Sequence, residues 1–177
     1  MWDDLFKAVL GIAGSFLTYQ LIEVGRKRKV ETYWRMEDQY KSPEQTEARK
    51  NIEIVSHRLK EKFGLSALDK IKNPEIETMA DFYNAEYHLS PDKEKRDFAT
   101  KIRGRLRLLN QMGVLVRKKM IQRDLLFSLV GLGMEIDYSA IKVILAAHRK
   151  AHNTPHLYKE FEYLWNKYLV WKRGQNS

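Results

Sequence analysis

The sequence predicts an all-α protein: an N-terminal transmembrane helix followed by a cytosolic helical bundle. Three observations carry that expectation. Apolar residues recur at helical spacing along most of the chain, and no stretch alternates with the period of two that marks a strand. Proline is rare, and Pro43, Pro74, Pro91 and Pro155 all stand where helices would begin. The first apolar run carries no charge from Ala8 to Ile22, and a basic cluster, Arg26, Lys27, Arg28 and Lys29, follows it closely.

That first run reads AVLGIAGSFLTYQLI. As a helix it covers about 22 Å, against about 30 Å of bilayer hydrocarbon. Lys7 and Glu23 or Arg26 would have to snorkel, the bilayer would have to thin, or an oligomer would absorb the mismatch. A secretory signal carries its positive charge in front, and here Asp3 and Asp4 precede the run instead. The positive-inside rule then places the N-terminus outside and the remainder in the cytosol. The basic cluster would meet the anionic cytoplasmic leaflet there.

At about 100° per residue, Asp4, Lys7, Gly11, Gly14 and Thr18 share one sector, with Ser15 beside it. Leu5, Val9, Ile12, Ala13, Phe16 and Leu17 occupy the other side. Small residues let helices approach closely in lipid, and a polar stripe turns toward protein or water. The pattern predicts a homo-oligomerising helix whose Lys7, Gly11, Gly14, Ser15 and Thr18 line a pore. Two other readings stay open: an amphipathic helix lying in the interface, and an ordinary N-terminal core helix.

The expected organisation is a membrane helix over residues 1–25, a basic stalk over 26–42 and a cytosolic helical domain over 43–177. The stalk has no Pro and no Gly between Arg26 and Lys41. Ser42-Pro43-Glu44-Gln45 is a helix start, with Ser42 as N-cap and Gln45 completing a capping box. The stripe Ile52, Val55, Leu59 and Phe63 follows, and Gly64 is placed to end it. Asn73-Pro74-Glu75 opens a helix carrying Ile76, Met79, Phe82 and Tyr83, and Ser90-Pro91-Asp92 opens a long one through Leu106 and Leu109. The uncharged run Leu125–Met134 is too short to span a bilayer and suits a core helix. Asp137-Tyr138-Ser139 is expected to start a new helix, and Thr154-Pro155 to cap the last one, whose stripe is Leu157, Phe161, Leu164, Tyr168 and Trp171.

The net charge of +9 favours anionic partners, nucleic acid or an anionic membrane face. Cysteine is absent, which excludes disulfides and Cys-based zinc sites. No phosphate-binding Gly-rich loop, GxSxG or HExxH motif occurs. No cofactor is expected. His148 and His152 share a helix face, but two surface histidines are more often solvated than ligands, so no metal is expected either.

The segment Arg149-Lys150-Ala151-His152-Asn153-Thr154-Pro155-His156 is the strongest chemical candidate. Arg149 and His156 straddle a helix junction with Asn153 between them, an arrangement able to converge on one phosphate. The Arg would grip the phosphoryl oxygens while the His works as acid or base. RNA supplies its own nucleophile, so such a pair would need no metal. Basic residues also gather at Lys101, Arg103, Arg105 and Arg107 and at Arg117, Lys118 and Lys119; a solvated face is the default reading, with an anionic partner or acids on neighbouring helices as the alternatives.

With AVLGIAGSFLTYQLIEVGRKRK at the start, a helical middle and RKAHNTPH near the end, the chain resembles the small membrane accessory proteins of type VI-B CRISPR systems. The Arg149…His156 spacing resembles the Arg-x4–6-His motif of HEPN ribonucleases, although Lys150 departs from the polar or acidic residue usual after the Arg. The resemblance implies a divergent HEPN-like bundle with lost or altered catalysis. It also implies a bacterial inner-membrane location and a role in antiphage defence through a depolarising homo-oligomeric pore. Two alternatives remain: a membrane-tethered ribonuclease using Arg149 and His156, or a scaffold that recruits the RNA-guided effector or RNA.

Overall fold

The computed structural model describes the backbone of residues 2–64 and 73–175 and the side chains of residues 19–64 and 74–175. Every regular element among the described residues is helical: α1 (Trp2–Tyr40), α2 (Pro43–Phe63), α3 (Asn73–Tyr83), a π-helical turn over Asn84–His88, α4 (Lys93–Arg117), α5 (Arg123–His152) and α6 (Lys159–Gln175). The all-α expectation is met.

Local chemistry explains most helix ends. Ser42 Oγ accepts the Gln45 N–H at 3.4 Å, with Pro43 in the first turn of α2. Gly64 closes that helix at φ 64°, where a side chain would be strained. Asp92 Oδ1 accepts the Glu94 N–H at 2.8 Å and starts α4. The α6 start differs from expectation. Thr154 and Pro155 lie in a turn, and the helix begins at Lys159. In its first turn the amides of Glu160 and Phe161 donate to Asn110 Oδ1 of α4 at 3.1 and 3.2 Å. The cap thus comes from another helix.

The interior is built on one face of each helix. Ile52, Val55 and Leu59 of α2 meet Ile102, Leu106, Leu109 and Met112 of α4, and Leu126, Phe127, Val130, Ile141 and Ile144 of α5. The principal pairings are α4 with α6 and α2, and α5 with α3 and α2. Full burial of such side chains contributes about 1.5–3 kcal/mol each. Among the described side chains, those of α1 that pack on the core lie near its C-terminal end. Met36 is its one fully buried side chain among those described, and Tyr33 and Tyr40 pack partly against the core.

No break occurs at Asp137: α5 runs unbroken from Arg123 to His152. Asp137 points into the protein instead, 2% exposed, with Oδ2 at 3.6 Å from Arg49 Nε and 3.8 Å from Arg105 Nη2. Arg105 is also 2% exposed. Its guanidinium donates to the Tyr40 hydroxyl at 3.0 Å and to the Gln45 carbonyl at 3.3 Å, and it lies 4.7 Å from the Tyr40 ring centre. One ionic cluster therefore ties α1, α2, α4 and α5 together.

No helix among the described residues is long and apolar enough to cross a membrane. The side chains of Lys7, Gly11, Gly14, Ser15 and Thr18 lie outside the described residues, as does most of the apolar run that contains them.

Candidate functional site

The α5–α6 junction holds the sequence-selected trio. Arg149, in the last turn of α5, donates from Nε to the Leu157 carbonyl at 3.0 Å and from Nη1 to Glu162 Oε1 at 2.9 Å. Two of its three nitrogens are thereby engaged in holding the turn onto α6. Asn153 ends α5 in the left-handed conformation at φ 48°, which Asn tolerates better than most residues. Asn153 and His156 are both exposed.

The roles of Arg149 and His156 separate by mutation. Arg149→Ala is expected to cost about 1 kcal/mol, chiefly the carbonyl bond, because the half-exposed Glu162 pair is screened. His156→Ala should change stability by less than about 0.5 kcal/mol. Urea unfolding followed by Trp fluorescence measures both.

A second cluster lies beside this junction, around His148 and His152 of α5. His148 is 0% exposed. Its ring centre lies 5.0 Å from that of His88, 6.0 Å from those of Tyr83 and Tyr158, and 6.4 Å from that of His152. His88 and His152 are 5.3 Å apart. The π-helical turn places His88: its wide turn ends with the Leu89 N–H donating to the Asn84 carbonyl at 2.7 Å. Asn84 Nδ2 in turn donates to the Ala147 carbonyl of α5 at 3.0 Å, pinning the turn against His148. Such π segments often mark functional positions. Tyr158 closes the cluster with a left-handed φ of 60°, a strained conformation for an aromatic residue.

The electrostatics of this cluster are one-sided. Burial pushes His148 down to about 3, helped by His88, Arg103 and His152. Burial, then Arg103 and His152, also lowers His88. Both imidazoles are neutral at physiological pH. Arg103 Nη2 lies 3.0 Å from His88 Nδ1. A guanidinium can only donate, so Nδ1 accepts and the ring proton sits on Nε2. A metal at Nε2 would need the opposite tautomer. No group of three or more His, Cys, Asp or Glu among the described residues is arranged to hold a metal ion.

Residues 8–168 match the family described as "Domain of unknown function (DUF4760)". The chain belongs to that family. No curated protein matches this DUF4760 chain, and no solved structure does.

Elsewhere on this DUF4760 chain the basic residues divide. Lys101 pairs with Glu47 at 2.7 Å, and Arg117 pairs with Glu160 at 2.6 Å while lying over the Tyr163 ring. Arg105 is buried in the ionic cluster. Acids on neighbouring helices therefore pair with Lys101, Arg105 and Arg117, while Arg103 and Arg107 lie on the histidine side and Lys118 and Lys119 are exposed. Arg26, Lys27, Arg28 and Lys29 are exposed on α1, with Lys27 paired to Glu23 at 3.2 Å. Sequence reasoning missed His88, Arg103 and Tyr158 as companions of His148. The i, i+4 spacing of His148 and His152 was the one local signal.

Proposed function

We propose that the protein is a homo-oligomeric pore of the bacterial inner membrane, with its N-terminus outside and its helical bundle in the cytosol. In this reading α1 crosses the bilayer over residues 8–22, with Lys7, Gly11, Gly14, Ser15 and Thr18 turned toward sister subunits. The pore depolarises the membrane in antiphage defence beside an RNA-guided effector. The bundle is read as a divergent HEPN-like fold whose Arg149 and His156 are not catalytic, in keeping with the bonds that occupy Arg149.

The supporting observation is apolar surface left bare on the bundle and on α1. Leu125, Leu132 and Ile136, at i, i+7 and i+11, lie exposed along α5 within a sector of roughly 40°. Leu132 is 71% exposed and Ile136 55%. Tyr19, Leu21, Ile22, Val24 and Trp34 are exposed on α1, which meets α5 where Gly133 faces the Tyr40 hydroxyl. Surface of this kind marks contacts with protein or lipid. The defence role rests on the resemblance of the N-terminal segment and of the Arg149…His156 segment.

Light scattering of the full chain in detergent tests the assembly. The wild type should give a fixed multiple of the monomer mass, and Leu132→Asp with Ile136→Asp should shift it to smaller species while helical content stays unchanged. A wild type that is monomeric at every concentration would contradict the proposal.

A further inference from the structure

Two arginines of α4, Arg103 and Arg107, border the histidine cluster. The charged groups that act on His88, His148 and Tyr158 are the guanidinium groups of Arg103 and Arg107. Arg103 is half-buried, and its Nε is buried without a hydrogen-bond partner. Arg103 and Arg107, one turn apart on α4, join no ion pair among the described residues; they are directed at His88 and Tyr158 respectively. Burying a guanidinium beside neutral rings is unfavourable unless an anion arrives to pair with it.

A second observation is independent of that charge. His148 is fully buried, and neither ring nitrogen has a hydrogen-bond partner. The Tyr83 hydroxyl and Asn84 Oδ1 are likewise buried without partners in the same wall. Buried polar atoms are rarely left unmatched, and an ordered water, an ion or a ligand commonly supplies the missing partner. The cluster opens to solvent through His152 and Arg107, which are exposed, and through half-exposed His88.

We infer that Arg103, Arg107, His88 and His152 form a binding site for a phosphate group, with His148 as its floor. Arg103 and Arg107 supply charge-assisted donors at two adjacent turns of α4, the arrangement that suits tetrahedral oxyanions. His88 contributes its Nε2–H, the proton placed there by the Arg103 contact. The site is distinct from the Arg149–His156 pair and does not depend on the pore reading. Inorganic phosphate, a nucleotide terminus and an RNA backbone all share this chemistry.

Isothermal titration of the full chain in detergent, with inorganic phosphate, a nucleoside monophosphate and a short oligoribonucleotide, tests the site and distinguishes the sources. Wild type should bind at least one of them. Arg103→Gln should weaken that binding at least about tenfold. Arg107→Gln, an exposed change that leaves the interior intact, should weaken it severalfold, and Lys60→Gln on α2 should leave it unchanged. Tighter binding of the monophosphate than of the oligonucleotide identifies a small phosphomonoester ligand. Binding of the oligonucleotide alone, falling steeply with salt, identifies an RNA backbone. Absence of binding by wild type to all three probes, or equal binding by wild type, Arg103→Gln and Arg107→Gln, overturns the inference.

Discussion

Arg105→Met is expected to destabilise the bundle by about 3 kcal/mol or more, because it leaves Asp137 buried with one distant cation. The change also removes the donors to the Tyr40 hydroxyl and the Gln45 carbonyl, so the C-terminal end of α1 loses its tie to α4. Proteolysis near Tyr40 and Lys41 should accelerate accordingly. Adding Asp137→Leu should recover most of the loss, since Arg49 keeps Glu53 at 3.5 Å. A double variant no more stable than Arg105→Met alone would show that the loss comes from packing around Arg105 and not from the stranded carboxylate.

The same cluster sets a pH dependence. Burial pushes the Asp137 carboxyl up to about 6, against the opposing pull of Arg105 and Arg49. The folded chain therefore holds a proton that the unfolded chain releases near the usual carboxylate value. The resulting stabilisation is complete below that value and is lost as pH rises through about 6. Its size is about 3 kcal/mol. Urea midpoints at pH 4.5 and pH 7 should differ between wild type and Asp137→Asn by an amount of that order, with wild type gaining more on acidification. Identical pH slopes would remove Asp137 as the responsible group.

Gly113→Ala carries the second large effect. A Cβ at Gly113 would lie 1.9 Å from the Glu160 carbonyl oxygen and 2.5 Å from its carbon. Those are backbone atoms in the first turn of α6, so relief requires the helix to move. The movement pulls Glu160 and Phe161 off Asn110, which caps them. The expected loss is about 3 kcal/mol, the upper range for overpacking. Gly104→Ala on the same helix meets nothing within 4 Å and should stabilise by about 0.5–1 kcal/mol. Thermal unfolding of the two variants should therefore move in opposite directions. A neutral Gly113→Ala would mean that α6 tolerates a lateral shift.

What could be seen in the sequence was what local chemistry decides. Ser42, Pro43 and Gln45 sit within four residues of one another, so the start of α2 was readable, as was its end at Gly64. The start of α6 was not, because its cap, Asn110, lies 50 residues before Glu160 in the chain. Asp137-Tyr138-Ser139 resembled a cap because a polar triplet after an apolar run usually is one. Here Asp137 instead answers two arginines brought from α2 and α4, a pairing with no local trace. The candidate sites follow the same division. Arg149 and His156 stood out by spacing, but the bonds of Arg149 to Leu157 and Glu162 form only when α6 folds back. His148 and His152 were visible as a pair, whereas His88 arrives through a π-helical turn and Arg103 from α4.

The proposed pore requires that α1 enter the membrane and bring copies of the chain together there. Flotation of the untagged full-length protein with bacterial-lipid vesicles, after high-salt and alkaline washes, tests it most directly. The protein should rise with the vesicles after both washes. Recovery from the washed, vesicle-free fraction would contradict insertion, and the pore would fall with it.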